Sequence, residues 1–126
     1  MATVNVTLDT FKDTVEGNDT VLIDFWASWC GPCRMFGPVY EAASETNPDI
    51  VFAKVDTEAE QQLAAEFRIT SIPTWMAIRD GVVLYSQPGA LPKGNLEELI
   101  KAIRDVDMDV VRSEIAAQQA ADAEQS

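Results

Sequence analysis

Cys30 and Cys33 are the only cysteines of this chain, and they stand two residues apart in Trp29-Cys30-Gly31-Pro32-Cys33. Before them runs Val21-Leu22-Ile23-Asp24-Phe25-Trp26, an apolar strand pattern broken by a single acid; after them, Arg34 to Ala43 reads as a helix. The pair therefore falls where a buried strand ends and a helix begins. Helix N-termini present unpaired N–H groups and a partial positive charge, and both stabilise a thiolate. Arg34 adds a cation beside Cys33.

Composition narrows what such a pair does. A zinc site takes about four ligands, usually Cys or His, and the chain has no third cysteine and no histidine; zinc would need carboxylates or a second subunit. Haem attachment requires a histidine where Arg34 stands. A purely structural disulfide across so short a loop would restrain the unfolded chain little. Residues i and i+3 of a helical turn lie close enough to form and break a disulfide without large backbone motion. A redox dithiol fits best, with no metal and no bound cofactor.

The formal net charge is −12, and the nine cations are dispersed. Nucleic acid and anionic membranes are therefore not expected as partners. No stretch approaches the length of a membrane span, and the first nine residues lack the basic and apolar pattern of an export leader. With no further cysteine pairs, a cytoplasmic location is expected.

Along the chain, Val4 to Leu8 alternates as a half-buried strand, and Asp9 is positioned to cap a short helix ended by Gly17. The helix after the cysteines meets Pro38, where a kink is expected, and stops near Asn47. Ile50 to Val55 is the next strand, and Thr57 to Glu60 has the capping-box spacing ahead of a helix through Phe67. Thr74–Ile78 and Val82–Ser86 flank Asp80-Gly81, a hairpin signal. Leu96, Leu99, Ile100 and Ile103 recur at helical spacing. Val106, Val110, Val111 and Ile115 continue that stripe past three aspartates, either as one longer helix or as a second short one, and residues 116–126 are expected to fray. Early strand–helix alternation implies parallel pairing and the late hairpin antiparallel pairing.

Asp24 is costly to bury as a carboxylate. It has two readings: a salt bridge to Lys54 on a neighbouring strand, or a proton relay beneath Cys33. Both hold together if Lys54 tunes Asp24. Trp26 and Trp75 read as core.

WCGPC after a strand carrying Asp24, and ahead of Ile72-Pro73-Thr74, resembles the thioredoxin family. Asp24-Phe25-Trp26-Ala27, Lys54-Val55-Asp56, Ser71-Ile72-Pro73-Thr74 and Gly89-Ala90-Leu91 follow in the family's order. The resemblance covers residues 1–106 as one domain and leaves 107–126 as an acidic C-terminal extension, partly helical or disordered. It implies an α/β fold with a five-stranded mixed sheet in the order 1-3-2-4-5, flanked by about four helices. Cys30 is implied as nucleophile, Cys33 as resolving thiol and Asp24 as the acceptor of the Cys33 proton. A cis Ile72–Pro73 bond would present the Ile72 backbone to an extended substrate peptide, and Trp29, Gly31, Pro32, Gly89 and Ala90 would complete an apolar rim.

The implied function is protein-disulfide reduction by a monomer that binds disulfide-containing proteins. A thioredoxin reductase, usually NADPH-dependent, would restore the dithiol. A disulfide oxidase or isomerase is the rival within enzymes, but those relatives commonly place histidine where Pro32 stands. A binding module with a structural role is the rival outside them. Trp75 stands where the family usually has a smaller aliphatic residue, and no chemistry is assigned to it.

Overall fold

The structure, a computed structural model, describes residues 2–125. Met1 and Ser126, the ends of the two expected segments, lie outside the described residues. The elements are β1 (Val4–Asn5), α1 (Leu8–Glu16), β2 (Thr20–Trp26), α2 (Gly31–Thr46), β3 (Val51–Asp56), α3 (Gln61–Glu66), β4 (Thr74–Arg79), β5 (Val82–Pro88), α4 (Lys93–Asp105) and α5 (Met108–Gln125).

The strands form one sheet in the order β1-β3-β2-β4-β5. β1, β3 and β2 are parallel, while β4 runs antiparallel to β2 and β5 antiparallel to β4. This is the mixed sheet, in the order 1-3-2-4-5, that the resemblance implies. Helices cover both faces, so central β2 is buried on both sides and reads as an almost continuous apolar run. Val21, Ile23 and Phe25 pack under α1 and α3 with Val55, Leu63 and Met76. Leu22 faces the other way, into Phe36 and Tyr40 of α2 and Leu96 and Ile100 of α4.

Three local expectations change in the structure. The first strand is cut to two residues because Thr7 becomes the N-cap of α1: the Thr10 hydroxyl accepts the Thr7 N–H at 2.9 Å, and Glu60 Oε1 accepts the Leu8 N–H at 2.7 Å. Glu60, bound to α1, forms no capping box with Thr57. Asp56 instead organises the approach to α3, its carboxylate accepting from the Glu58 and Ala59 N–H groups. Gly17 does end α1, but in a right-handed conformation; a Cβ there would lie 2.8 Å from the Asp13 carbonyl oxygen, so close approach calls for glycine.

The Asp80-Gly81 hairpin forms with both residues at positive φ, 53° and 78°. α2 continues through Pro38 to Thr46. At the C-terminus, Asp107 starts a new helix by accepting the Asp109 and Val110 N–H groups. Of the two alternatives a second helix forms, and α5 (Met108–Gln125) is long, running through the segment where fraying was expected. Its alanine-rich second half favours helix, and Gln118 bonds Asp122 one turn on. Met108 is buried, Arg112 bridges to Asp80 at the hairpin tip, and Arg79 Nη1 donates to the Ile103, Arg104 and Val106 carbonyls.

Candidate active site

The start of α2 carries the two thiol positions. Cys30 is the N-cap of α2, Gly31 and Pro32 form its first turn, and Cys33 follows. Pro32 is tolerated there because first-turn N–H groups have no partner inside the helix. Cys30 and Cys33 form a disulfide with Cα atoms 5.2 Å apart, so the molecule is in its oxidised form. The Cys33 N–H points at Cys30 Sγ at 3.2 Å. That donor, together with the helix dipole, would stabilise negative charge on Cys30 once the bond opens. Arg34 directs its guanidinium at the Ser28 carbonyl, 3.1 Å away, and so pins the loop ahead of Cys30.

Position alone suggests that Cys30 is the more exposed thiol. In the structure the two residues are equally buried, at 4% and 5% exposure. What distinguishes them is surroundings: Cys30 Sγ lies 3.7 Å from the Ile72 carbonyl oxygen. The Ile72–Pro73 peptide bond is cis. The Pro73 carbonyl accepts the Gly89 N–H at 2.8 Å, and Gly89 holds φ at +108°, a region costly for any residue with a Cβ. A continuous path thus runs from Cys30 through Ile72 and Pro73 to Gly89-Ala90.

Two apolar depressions flank this path. One is lined by Trp29, Thr57, Ile69, Thr70, Ser71 and Ile72. The other is lined by Met35, Phe36, Val39, Ala90, Leu91 and Pro92. Trp29 is 65% exposed and Met35 77%, one in each depression. The sequence reading missed Met35. Its signal is phase: Cys33, Phe36, Tyr40 and Ser44 form the buried stripe of α2, and Met35 is a large apolar residue outside it.

Asp24 lies on the β2 face covered by α2. On that face Leu22 packs against Phe36 and Tyr40, and Trp26 packs against the cluster of Ala27, Cys30 and Cys33. Asp24 stands between the two. It is 1% exposed, and neither carboxylate oxygen has a hydrogen-bond partner in the protein. Burial raises its pKa to about 7, against the opposing pull of the Lys54 charge. Lys54 is its register partner on β3, but carries its ammonium over the Trp26 ring, 4.8 Å from the centroid, so no direct salt bridge forms. Among the described residues, no group of three or more His, Cys, Asp or Glu side chains is placed to hold a metal ion.

A family model described as Thioredoxin matches residues 2–102. Putative thioredoxin 2 of Streptomyces coelicolor is 56% identical over 119 residues, 94% of this chain and 89% of that protein. The thioredoxin of Bacillus subtilis is 40% identical over 102 residues, covering 79% and 96%. Among solved structures, a point mutant of the thioredoxin from Halobacterium salinarum superposes with a TM-score of 0.75 at 34% identity, covering 82% of this chain and 92% of that one.

Proposed function

The chain belongs to the thioredoxin family of thiol–disulfide oxidoreductases and works through its own redox-active disulfide without a bound cofactor, and on that basis we propose how its residues divide the reaction. In the reduced protein the Cys30 thiolate attacks one sulfur of a partner's disulfide, and the partner's other sulfur leaves as a thiolate. Asp24 takes the proton of Cys33. The Cys33 thiolate then attacks Cys30 Sγ, reforming the Cys30–Cys33 disulfide and releasing the partner as a dithiol. An acceptor with a pKa of about 7 is matched to this task at neutral pH.

Lys54 tunes Asp24 through its charge rather than by contact. Trp29, Gly31, Pro32, Ile72, Pro73, Gly89 and Ala90 form the substrate-binding surface, with the Ile72 backbone offered to an extended peptide. Residues 1–106 constitute the catalytic domain and 107–126 an acidic extension. The protein acts as a cytoplasmic monomer on disulfide-containing proteins, and a thioredoxin reductase using NADPH returns it to the dithiol.

The observation that carries this reading is the disulfide at the N-terminus of α2 with Cys30 Sγ against the Ile72 carbonyl. Turnover of a protein disulfide with NADPH and a thioredoxin reductase tests it. Cys30→Ser is expected to abolish turnover, and Cys33→Ser to accumulate a mixed disulfide joined through Cys30. A trapped partner joined through Cys33 in the Cys30→Ser protein would reverse the order of attack.

A further inference from the structure

Trp75 stands directly across from Asp24 in the antiparallel pairing of β4 with β2. Opposed residues of such a pair place their Cβ atoms about 4.5–5.5 Å apart on one face. The face is the one under α2, since Ala77, two residues on, packs with Leu22, Phe36 and Tyr40. Both side chains are out of water: Asp24 is 1% exposed and Trp75 6%. Both Asp24 carboxylate oxygens, Trp75 Nε1 and Trp26 Nε1 are buried without a hydrogen-bond partner in the protein.

Buried polar atoms are almost always bonded, to protein or to water. On this face two acceptors lack donors and two donors lack acceptors, so the groups complement one another. Lys54, the nearest cation by register, is engaged with Trp26. Tyr85 on β5 packs its ring 6.5 Å from that of Trp75 and helps fix the indole.

We propose that the Trp75 indole N–H serves the Asp24 carboxylate through one bridging buried water, making Trp75 a positioning residue for the proton acceptor. This rests on the role given to Asp24 above. A water held by an indole donor and a carboxylate has the two polar partners that a buried site requires. The bond favours the ionised carboxylate and opposes the desolvation around it. The other titratable groups that act on or feel Asp24 are Lys54 from β3, which also favours the charge, and Tyr40 from α2. Tyr40 donates to the Ala53 carbonyl, and its own pKa is raised by burial and by the Asp24 charge.

The test uses the full chain with its disulfide oxidised. In the wild-type protein, the Trp75 indole 1H–15N resonance is expected to move with the same pH midpoint as the Asp24 carboxyl carbon, and to stay fixed in Asp24→Asn. A Trp75 resonance that stays flat while Asp24 titrates overturns the proposal without any variant at position 75. Trp75→Phe keeps an aromatic ring and removes the N–H. Its Asp24 midpoint is expected to rise by about one unit, roughly tenfold in proton affinity. Resolution of the mixed disulfide should then slow about fivefold at neutral pH and recover in alkali. An unchanged or lowered midpoint overturns the assignment. If Asp24→Asn resolves as fast as wild type, the proton-acceptor role fails, while the indole titration still decides the hydrogen bond.

Discussion

Lys54 stands opposite Asp24 on adjacent parallel strands, yet its ammonium lies over the Trp26 ring, 4.8 Å from the centroid, and the carboxylate is left without a hydrogen-bond partner in the protein. A direct ion pair would hold Asp24 ionised and unfit to accept a proton near neutrality. Displaced onto Trp26, the cation lowers the carboxyl pKa without overcoming burial, which leaves it at about 7.

Asp24→Asn should change how stability depends on pH. The unfolded carboxyl releases its proton near the ordinary value of 3.8 and the folded one near 7. Below this window Asp24 is neutral in both states. As pH rises through it the unfolded chain binds fewer protons than the native one, so wild-type stability falls, by about 4 kcal/mol in all. Asn cannot ionise, so the variant gains on wild type across the window. Denaturant unfolding of the oxidised proteins from acidic to alkaline pH measures this, and parallel curves would contradict it. The same variant should resolve a mixed disulfide more slowly at neutral pH, by on the order of a hundredfold.

Lys54→Met keeps most of the apolar stem and removes the charge. The Asp24 midpoint should rise further, because the cation is what opposes burial. The pH profile of turnover should move to higher pH with it. Carboxyl 13C titration reads the first effect and steady-state kinetics the second; a downward shift would mean that the Lys54 charge does not act on Asp24.

Trp29→Ala removes the most exposed large aromatic of the site. Truncating an aromatic interface anchor costs about 2 kcal/mol or more, so KM for a protein disulfide should rise roughly thirtyfold. The loss should be smaller for a low-molecular-weight disulfide, which cannot reach the depression that Trp29 shares with Thr70 and Ile72. Equal losses for both substrates would assign Trp29 to the chemistry rather than to docking.

Truncation after Asp107 should leave turnover unchanged. α5 is anchored by Arg112 to Asp80 at the β4–β5 turn, the far end of β4 from Thr74 and the cis Pro73. Stability should still fall by about 1.5–3 kcal/mol, since the buried Met108 is lost. Thermal unfolding and reduction of a protein disulfide separate the two; a large loss of activity would show that the extension reaches the site.

Features confined to a few residues were legible in the sequence. Two cysteines at i and i+3, with Pro32 in the first turn, put a dithiol at a helix start, and the structure has Cys30 as the N-cap of α2. An apolar run broken by one acid specified a strand buried on both faces and singled out Asp24. Asp80-Gly81 specified the hairpin because few residue pairs accept two positive φ angles. Backbone hydrogen bonding and side-chain period are set over such short spans, so the local pattern is enough.

Which partners those residues obtain was settled only when the chain folded. Glu60, spaced for a cap on its own helix, bonds the start of α1 because the fold brings Leu8 to it across 52 residues of sequence. Lys54 chooses Trp26 over Asp24, the two cysteines are equally buried, and the aspartates that seemed to interrupt the last helix include the residue that starts a new one. Trp75 reads as ordinary core until the β2–β4 register sets it opposite Asp24. Each outcome is a competition among groups far apart in the chain, decided by register and packing, and no local pattern carries that information.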